Sequence, residues 1–212
     1  MGGPSVLLLD GWQKVGTGLL FSTFLGFGIA YILFVAIAWI FQRTPISGVR
    51  KTFGKLQILS AAFMAYGHGS NDGQKFIGVF SLALLLGGVT AEFTVPWWVI
   101  LMCAGVMGIG TSIGGWRIIK TMGMSLAKLE PQHGFAAETA AAIAIEIASR
   151  SGIPLSTTHT INTSIMGVGS AQRLTGVRWS VARTIVTAWI LTFPICGIIS
   201  YTVTKVLMAI PR

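Results

Sequence analysis

Charge is what this chain has least of. Only 10% of its 212 residues are Asp, Glu, Lys or Arg, where soluble domains carry about 25%. Hydrophobic residues make up 53% and the mean hydropathy is +0.75, which excludes a water-soluble domain and leaves a chain whose apolar surface faces lipid. Acids are scarcer still: six against 15 Lys and Arg, a net charge of +9. That balance resembles a nucleic-acid binder's. The basic residues, however, fall in short segments between apolar runs and form no stripe interleaved with stacking aromatics, so no nucleic-acid partner is expected and positive-inside membrane topology explains them. The two cysteines, Cys103 and Cys196, both sit in apolar stretches and support neither a disulfide scaffold nor a thiolate metal site. No Walker loop, His-Glu-x-x-His pair or nucleophile elbow is present, so no enzyme chemistry and no cofactor is expected. The first apolar run is too long for a signal-peptide core and lacks a small-residue cleavage site after it.

The apolar runs and the charges between them predict a topology. Residues 16–41 carry no charge and are long enough to cross the roughly 30 Å hydrocarbon layer. The segment after them holds Arg43, Arg50, Lys51 and Lys55, which places that end in the cytoplasm and the N-terminus outside. Residues 56–88 are apolar at both ends and interrupted by Gly67-His68-Gly69-Ser70-Asn71-Asp72-Gly73-Gln74-Lys75. Each flank is too short to span alone, so one crossing by a discontinuous helix is predicted, its joint facing protein or a water-filled cavity. Residues 95–114 form a second uncharged span and lead to Arg117, Lys120 and Lys128. In residues 134–171 two short apolar arms flank Arg150-Ser151-Gly152-Ile153-Pro154-Leu155-Ser156-Thr157, predicting a re-entrant helical hairpin tipped by Ser156-Thr157-Thr158-His159. Arg173, Arg178 and Arg183 follow on the same basic side, and residues 181–204, with Pro194 as a kink, form the last span. The C-terminus then lies outside. No segment repeats another. The expected fold is an all-α polytopic membrane protein of the cell (inner) membrane, one supersecondary unit with a discontinuous helix and a re-entrant hairpin.

Two clusters carry chemistry. At the helix joint, Asp72 is an intramembrane carboxylate, expensive unless it meets a cation or another charge. Freed amides at such a joint suit an anion and its carbonyls a hard cation. The blander reading is that Asp72 caps the second half-helix and neutralises Lys75; Lys75 itself either meets substrate or snorkels. At the hairpin tip, three consecutive hydroxyls open a helix beside free amides, the donor set a phosphate-like oxyanion needs, although Ser156 also reads as an ordinary N-cap. Glu138 and Glu146 share roughly one side of the first arm; Glu138 suits a bound cation or a proton, Glu146 an ion pair with Arg150. His68 and His159 read more readily as hydrogen-bonded structural groups than as proton relays, and His133 as a surface residue. Ser156 with His159 as nucleophile and base is the one enzymatic alternative, and it lacks an orienting third group.

Taken together, His68 to Gly78 (HGSNDGQKFIG), Gly114 to Lys120 (GGWRIIK), Gly134 to Glu138 (GFAAE) and Gly152 to His159 (GIPLSTTH) resemble the inorganic phosphate transporter family. The resemblance implies two homologous halves in inverted topology, each with a broken helix and a hairpin. It implies phosphate as substrate and Na+ or H+ as coupling ion, with sulfate carried by a few relatives. Carried over by position, Ser70, Asn71, Gln74, Lys75, Ser156, Thr157 and Thr158 would bind phosphate. Asn71, Asp72 and Glu138 would serve the coupling cation, with Asn71 and Asp72 as sodium ligands if sodium is that ion. Two departures stand out. Gly73 and Lys75 replace the Val or Ala and the Asn that the family commonly has, so a fixed positive charge stands beside the acid. Only one motif set is present, and it resembles the C-terminal half, so the expected partner is an N-terminal homologous half or an oligomeric mate. A channel or interaction subunit is the remaining alternative.

Overall fold

The structure, a computed structural model, describes residues 9–209. Six α-helices follow in order: α1 Leu9–Ile40, α2 Ile46–Leu86, α3 Trp97–Ile119, α4 Pro131–Arg150, α5 Thr157–Gln172 and α6 Trp179–Ala209. A π-helical turn, Lys120–Leu126, leads α3 into α4, and a 3-10 turn, Leu174–Gly176, leads α5 into α6. The described residues contain no strand beyond one isolated bridge. Helices are what a chain this apolar must form, because lipid offers no hydrogen bonds and every peptide group has to be satisfied within its own segment. Leu9–Ile40, Trp97–Trp116 and Trp179–Ala209 are long and apolar enough to cross a membrane.

α4 and α5 form a helical hairpin. Its base is closed by an antiparallel bridge between Ala127 and Val177, and the Arg178 N–H donates to the Leu126 carbonyl at 2.9 Å. Its tip turns at Gly152, whose φ of 65° is a left-handed conformation that an L side chain adopts only under strain. Gly152→Ala should therefore lower stability by about 1 kcal/mol, read as a small drop in melting temperature of the purified protein. An alanine-rich face on α4, including Ala136, Ala140, Ala144 and Ala148, is buried, so neighbouring backbones approach closely.

Two further helices clasp the hairpin, each parallel to the arm it touches. α2 follows α4: Gln57 reaches Gly134, Ser60 reaches Glu138, Gly67 faces Ile145, and Asn71 bonds Ser149. Positions 57, 60, 64, 67 and 71 alternate steps of three and four, the seam of a left-handed helix pair. α1 follows α5 by a different device. Gly18, Ser22, Gly26 and Ala30 recur every fourth residue and are all buried, the small-xxx-small pattern of membrane helix contacts. The Ser164 hydroxyl donates to the Gly26 carbonyl at 3.1 Å. A side chain at Gly167 would collide with the Phe27 carbonyl, and one at Gly18 with the Pro154 carbonyl.

One end of the bundle gathers the basic segments. Arg50 pairs with Glu130 at 3.1 Å, and Phe53 stacks edge-on with Phe41 and Phe135 at 5.1 and 5.3 Å. Hydrogen bonds from Gln132 and Arg50 hold the Glu130 carboxyl below its ordinary pKa. His133, expected on the surface, is buried. Its Nδ1 accepts the Glu130 N–H at 2.9 Å, its ring lies 4.9 Å from Phe34, and Gln172 reaches it from α5. It caps α4 at the hairpin base, a role its place next to Pro131 hid.

The expected interruption of the second crossing is not there: α2 is a continuous helix through Gly67–Lys75. Three glycines cost roughly 1 kcal/mol each in a helix interior, but α4 supports this stretch from Gln57 to Asn71, and breaking the ladder would leave peptide groups unpaired. The free amides expected at the joint are thus spent within the helix. Pro194 likewise sits inside α6 without ending it.

Candidate functional site

Where α2 passes the hairpin tip, the two expected clusters meet. The Thr157 hydroxyl donates to Asp72 Oδ2 at 3.0 Å. Lys75 Nζ lies 2.8 Å from Asp72 Oδ1 and donates to the Leu155 carbonyl at 3.2 Å. His68 Nδ1 stands 3.3 Å from Oδ2 on the other side of the carboxylate. Asn71 Nδ2 donates to Ser149 Oγ at 3.1 Å, while its Oδ1 is buried without a hydrogen-bond partner. A helix turns 100° per residue, so His68, Asn71, Asp72 and Lys75 fall on one face. The continuous helix thereby presents polar side chains here, where the expected joint was to present free backbone groups.

Of these residues Asp72, Lys75, Leu155 and Thr157 line a cavity of about 220 Å³, walled further by Val15 and Leu19 of α1 and by Pro154, Ser156 and Thr158 of the tip. That is room for a small oxyanion with several waters. Ser156 also caps α5, its hydroxyl accepting the His159 N–H at 3.3 Å. The His159 ring instead lies against Trp189 of α6, centroids 3.8 Å apart. Ser156 and His159 therefore do not form a nucleophile–base pair.

Three expected residues stand apart. Ser70 and Gln74 lie about 160° around α2 from Asp72 and are exposed away from the cavity. Glu138 belongs to a separate cluster: Oε2 accepts the Ser60 hydroxyl at 2.6 Å and Oε1 the Gln57 amide at 3.5 Å. Ser60 precedes Asp72 by twelve residues, about 18 Å along a helix, so Glu138 and Asp72 cannot share one ion. Glu146 pairs with Arg150 at 2.7 Å, as its i,i+4 spacing suggested. Four further residues contribute: Leu155, Val15, Leu19 and Ser149. The Leu155 carbonyl has no side-chain signature, and Val15 and Leu19 reach the cavity only through the α1–α5 packing. Ser149 was legible as a polar residue at the tip end of an apolar arm.

Apolar helices clasping a hairpin tipped with hydroxyls, beside a carboxylate–ammonium pair, define a membrane protein built around a small polar pocket. Residues 1–200 match the Phosphate transporter family, and the chain belongs to it. It is 42% identical over 199 residues to a probable low-affinity inorganic phosphate transporter of Rhizobium meliloti (strain 1021), covering 93% of this chain and 60% of that protein. It is 38% identical over 203 residues to a protein so described from Bacillus subtilis (strain 168), covering 94% and 61%. A solved structure described as the sodium-dependent phosphate transporter shares the fold, with a TM-score of 0.68 at 22% identity, covering 93% of this chain and 58% of that one. The chain thus spans about three fifths of the length of these relatives.

Proposed function

We propose that the chain forms one half of a secondary active transporter of inorganic phosphate, driven by a coupled Na+ or H+. The observation that carries this reading is the cavity in which Lys75 and the tip residues Ser156, Thr157 and Thr158 line one space. A phosphate taken from water needs cations and hydrogen-bond donors on every side, since unpaired burial of a charge costs several kcal/mol or more. The ammonium of Lys75 and the tip hydroxyls supply part of that set from one side of the cavity, opposite the apolar wall of Val15 and Leu19. The hairpin acts as a re-entrant element, because the basic segments at its base favour the cytoplasmic side at both ends of the arms. Residues 56–88 cross the membrane as part of α2. Alternating access follows if this half rocks against a homologous mate around the site. Inner-membrane placement with both termini outside is part of this reading; the termini themselves, residues 1–8 and 210–212, lie outside the described residues. Sulfate is the alternative oxyanion.

Binding tests the site directly. Thr158→Val, which removes a hydroxyl from the cavity wall, should weaken phosphate binding about tenfold or more, the worth of a hydrogen bond to a charged group, and Thr157→Val, which removes the hydroxyl that ties the tip to Asp72, should weaken it by displacing the tip. Isothermal titration of the purified protein with phosphate and with sulfate reads both affinity and preference. Unchanged phosphate affinity in both variants would remove the tip from the site.

A further inference from the structure

We infer that the Lys75 ammonium occupies a cation position built by this half, so that the Asp72 site takes no sodium ion of its own. This rests on the proposed transport reading for its purpose, but its geometry stands alone. The two oxygens that Lys75 Nζ meets are a carboxylate, Asp72 Oδ1 at 2.8 Å, and a main-chain carbonyl, Leu155 at 3.2 Å. Carboxylate and freed carbonyl oxygens are what hard cations take as ligands, and hairpin and helix termini in transporters present them to Na+. The second oxygen of Asp72 accepts the Thr157 hydroxyl at 3.0 Å, with His68 Nδ1 3.3 Å from it. The ammonium therefore bridges α2 and the hairpin tip as a bound metal ion would, with the difference that it is delivered by a residue one helical turn from the acid and stays tethered to the chain.

Three consequences follow. A sodium ion cannot enter the same oxygens while the ammonium holds them, because like charges repel at that range. The carboxylate is neutralised before any anion arrives, so phosphate meets no net negative wall. Lys75 has three donors and the structure uses two; the third remains for an oxyanion in the cavity that Lys75 lines. Whatever ion couples transport then binds elsewhere in the protein.

Melting temperature of the detergent-purified chain, measured in NaCl against choline chloride at equal ionic strength, tests this. The wild type should show no sodium-specific shift. Lys75→Ala and Lys75→Met should each gain a saturable sodium-specific rise of about 3 °C or more, and Asp72→Asn added to either should abolish it. A sodium-specific rise in the wild type overturns the inference, as does a folded variant that gains none. Variants that fold in NaCl but not in choline support it; variants that fold in neither count against it, since supplied sodium should replace the lost ammonium. A parallel titration with phosphate separates the two claims. If phosphate gives no shift while the sodium results are as expected, the phosphate reading fails and the cation position stands.

Discussion

Asp72→Asn should leave the chain inserted and folded but without phosphate uptake. The substitution keeps the shape of the side chain and can still accept the Thr157 hydroxyl that now reaches Oδ2 at 3.0 Å. What it removes is the charge that fixes Lys75 Nζ at 2.8 Å. Insertion is governed by the apolar runs and basic segments, which are untouched. Binding and transport should then part. With the carboxylate gone the cavity gains a net positive charge, so phosphate affinity holds or rises. A freed ammonium closing on the anion slows its release, and the cycle stalls. Uptake of radiolabelled phosphate by cells that produce the chain together with its homologous mate and lack other phosphate carriers should fall at least tenfold, while phosphate-dependent thermal stabilisation persists. Uptake at the wild-type rate would take Asp72 out of the mechanism.

How much of this could be read from sequence depends on which signal carried each feature. Apolar runs bounded by basic segments are long and redundant, and α1, α3 and α6 follow from hydropathy that no neighbour can override. The Asp72 cluster and the hairpin tip stood out because polar residues in an apolar run are expensive. Their meeting was inferred from likeness, and the structure brings them together through Thr157 and Leu155. The continuity of α2 was misread for a physical reason. Gly67, Gly69 and Gly73 lower intrinsic helix propensity, but propensity is a weak prior and the contact with α4 outweighs it. Once the helix is continuous, its 100° step turns Ser70 and Gln74 away from Asp72, a result the linear motif hides. Glu138 has its hydrogen-bond partners in Gln57 and Ser60, legible as two polar residues three apart in an apolar run.

Gly167→Leu should separate α1 from the hairpin and with it dismantle the cavity. Even a methyl group at this position would strike the Phe27 carbonyl, with the Phe27 Cα and carbonyl carbon both 3.2 Å away. Backbone cannot rotate aside as a side chain does, so one whole helix must shift. Overpacking a tight contact costs about 1–3 kcal/mol and more when main chain is the obstacle. In this contact there is little to set against that cost, because lipid tails solvate a parted α1 as well as protein does and close packing is what holds membrane helices together. The damage reaches the site through geometry, since Val15 and Leu19 form one wall of the cavity and Gly18 seats α1 against Pro154 at the tip. Gly167→Ala should therefore lower the melting temperature by several degrees and weaken phosphate binding, and Gly167→Leu should leave no monodisperse protein. Gly28→Ala, one residue along α1 from the clash, meets nothing within 4 Å and should behave as wild type. Since Gly→Ala raises helix propensity, equal losses in the Gly28 and Gly167 variants would show that the α1–α5 contact does not govern the effect.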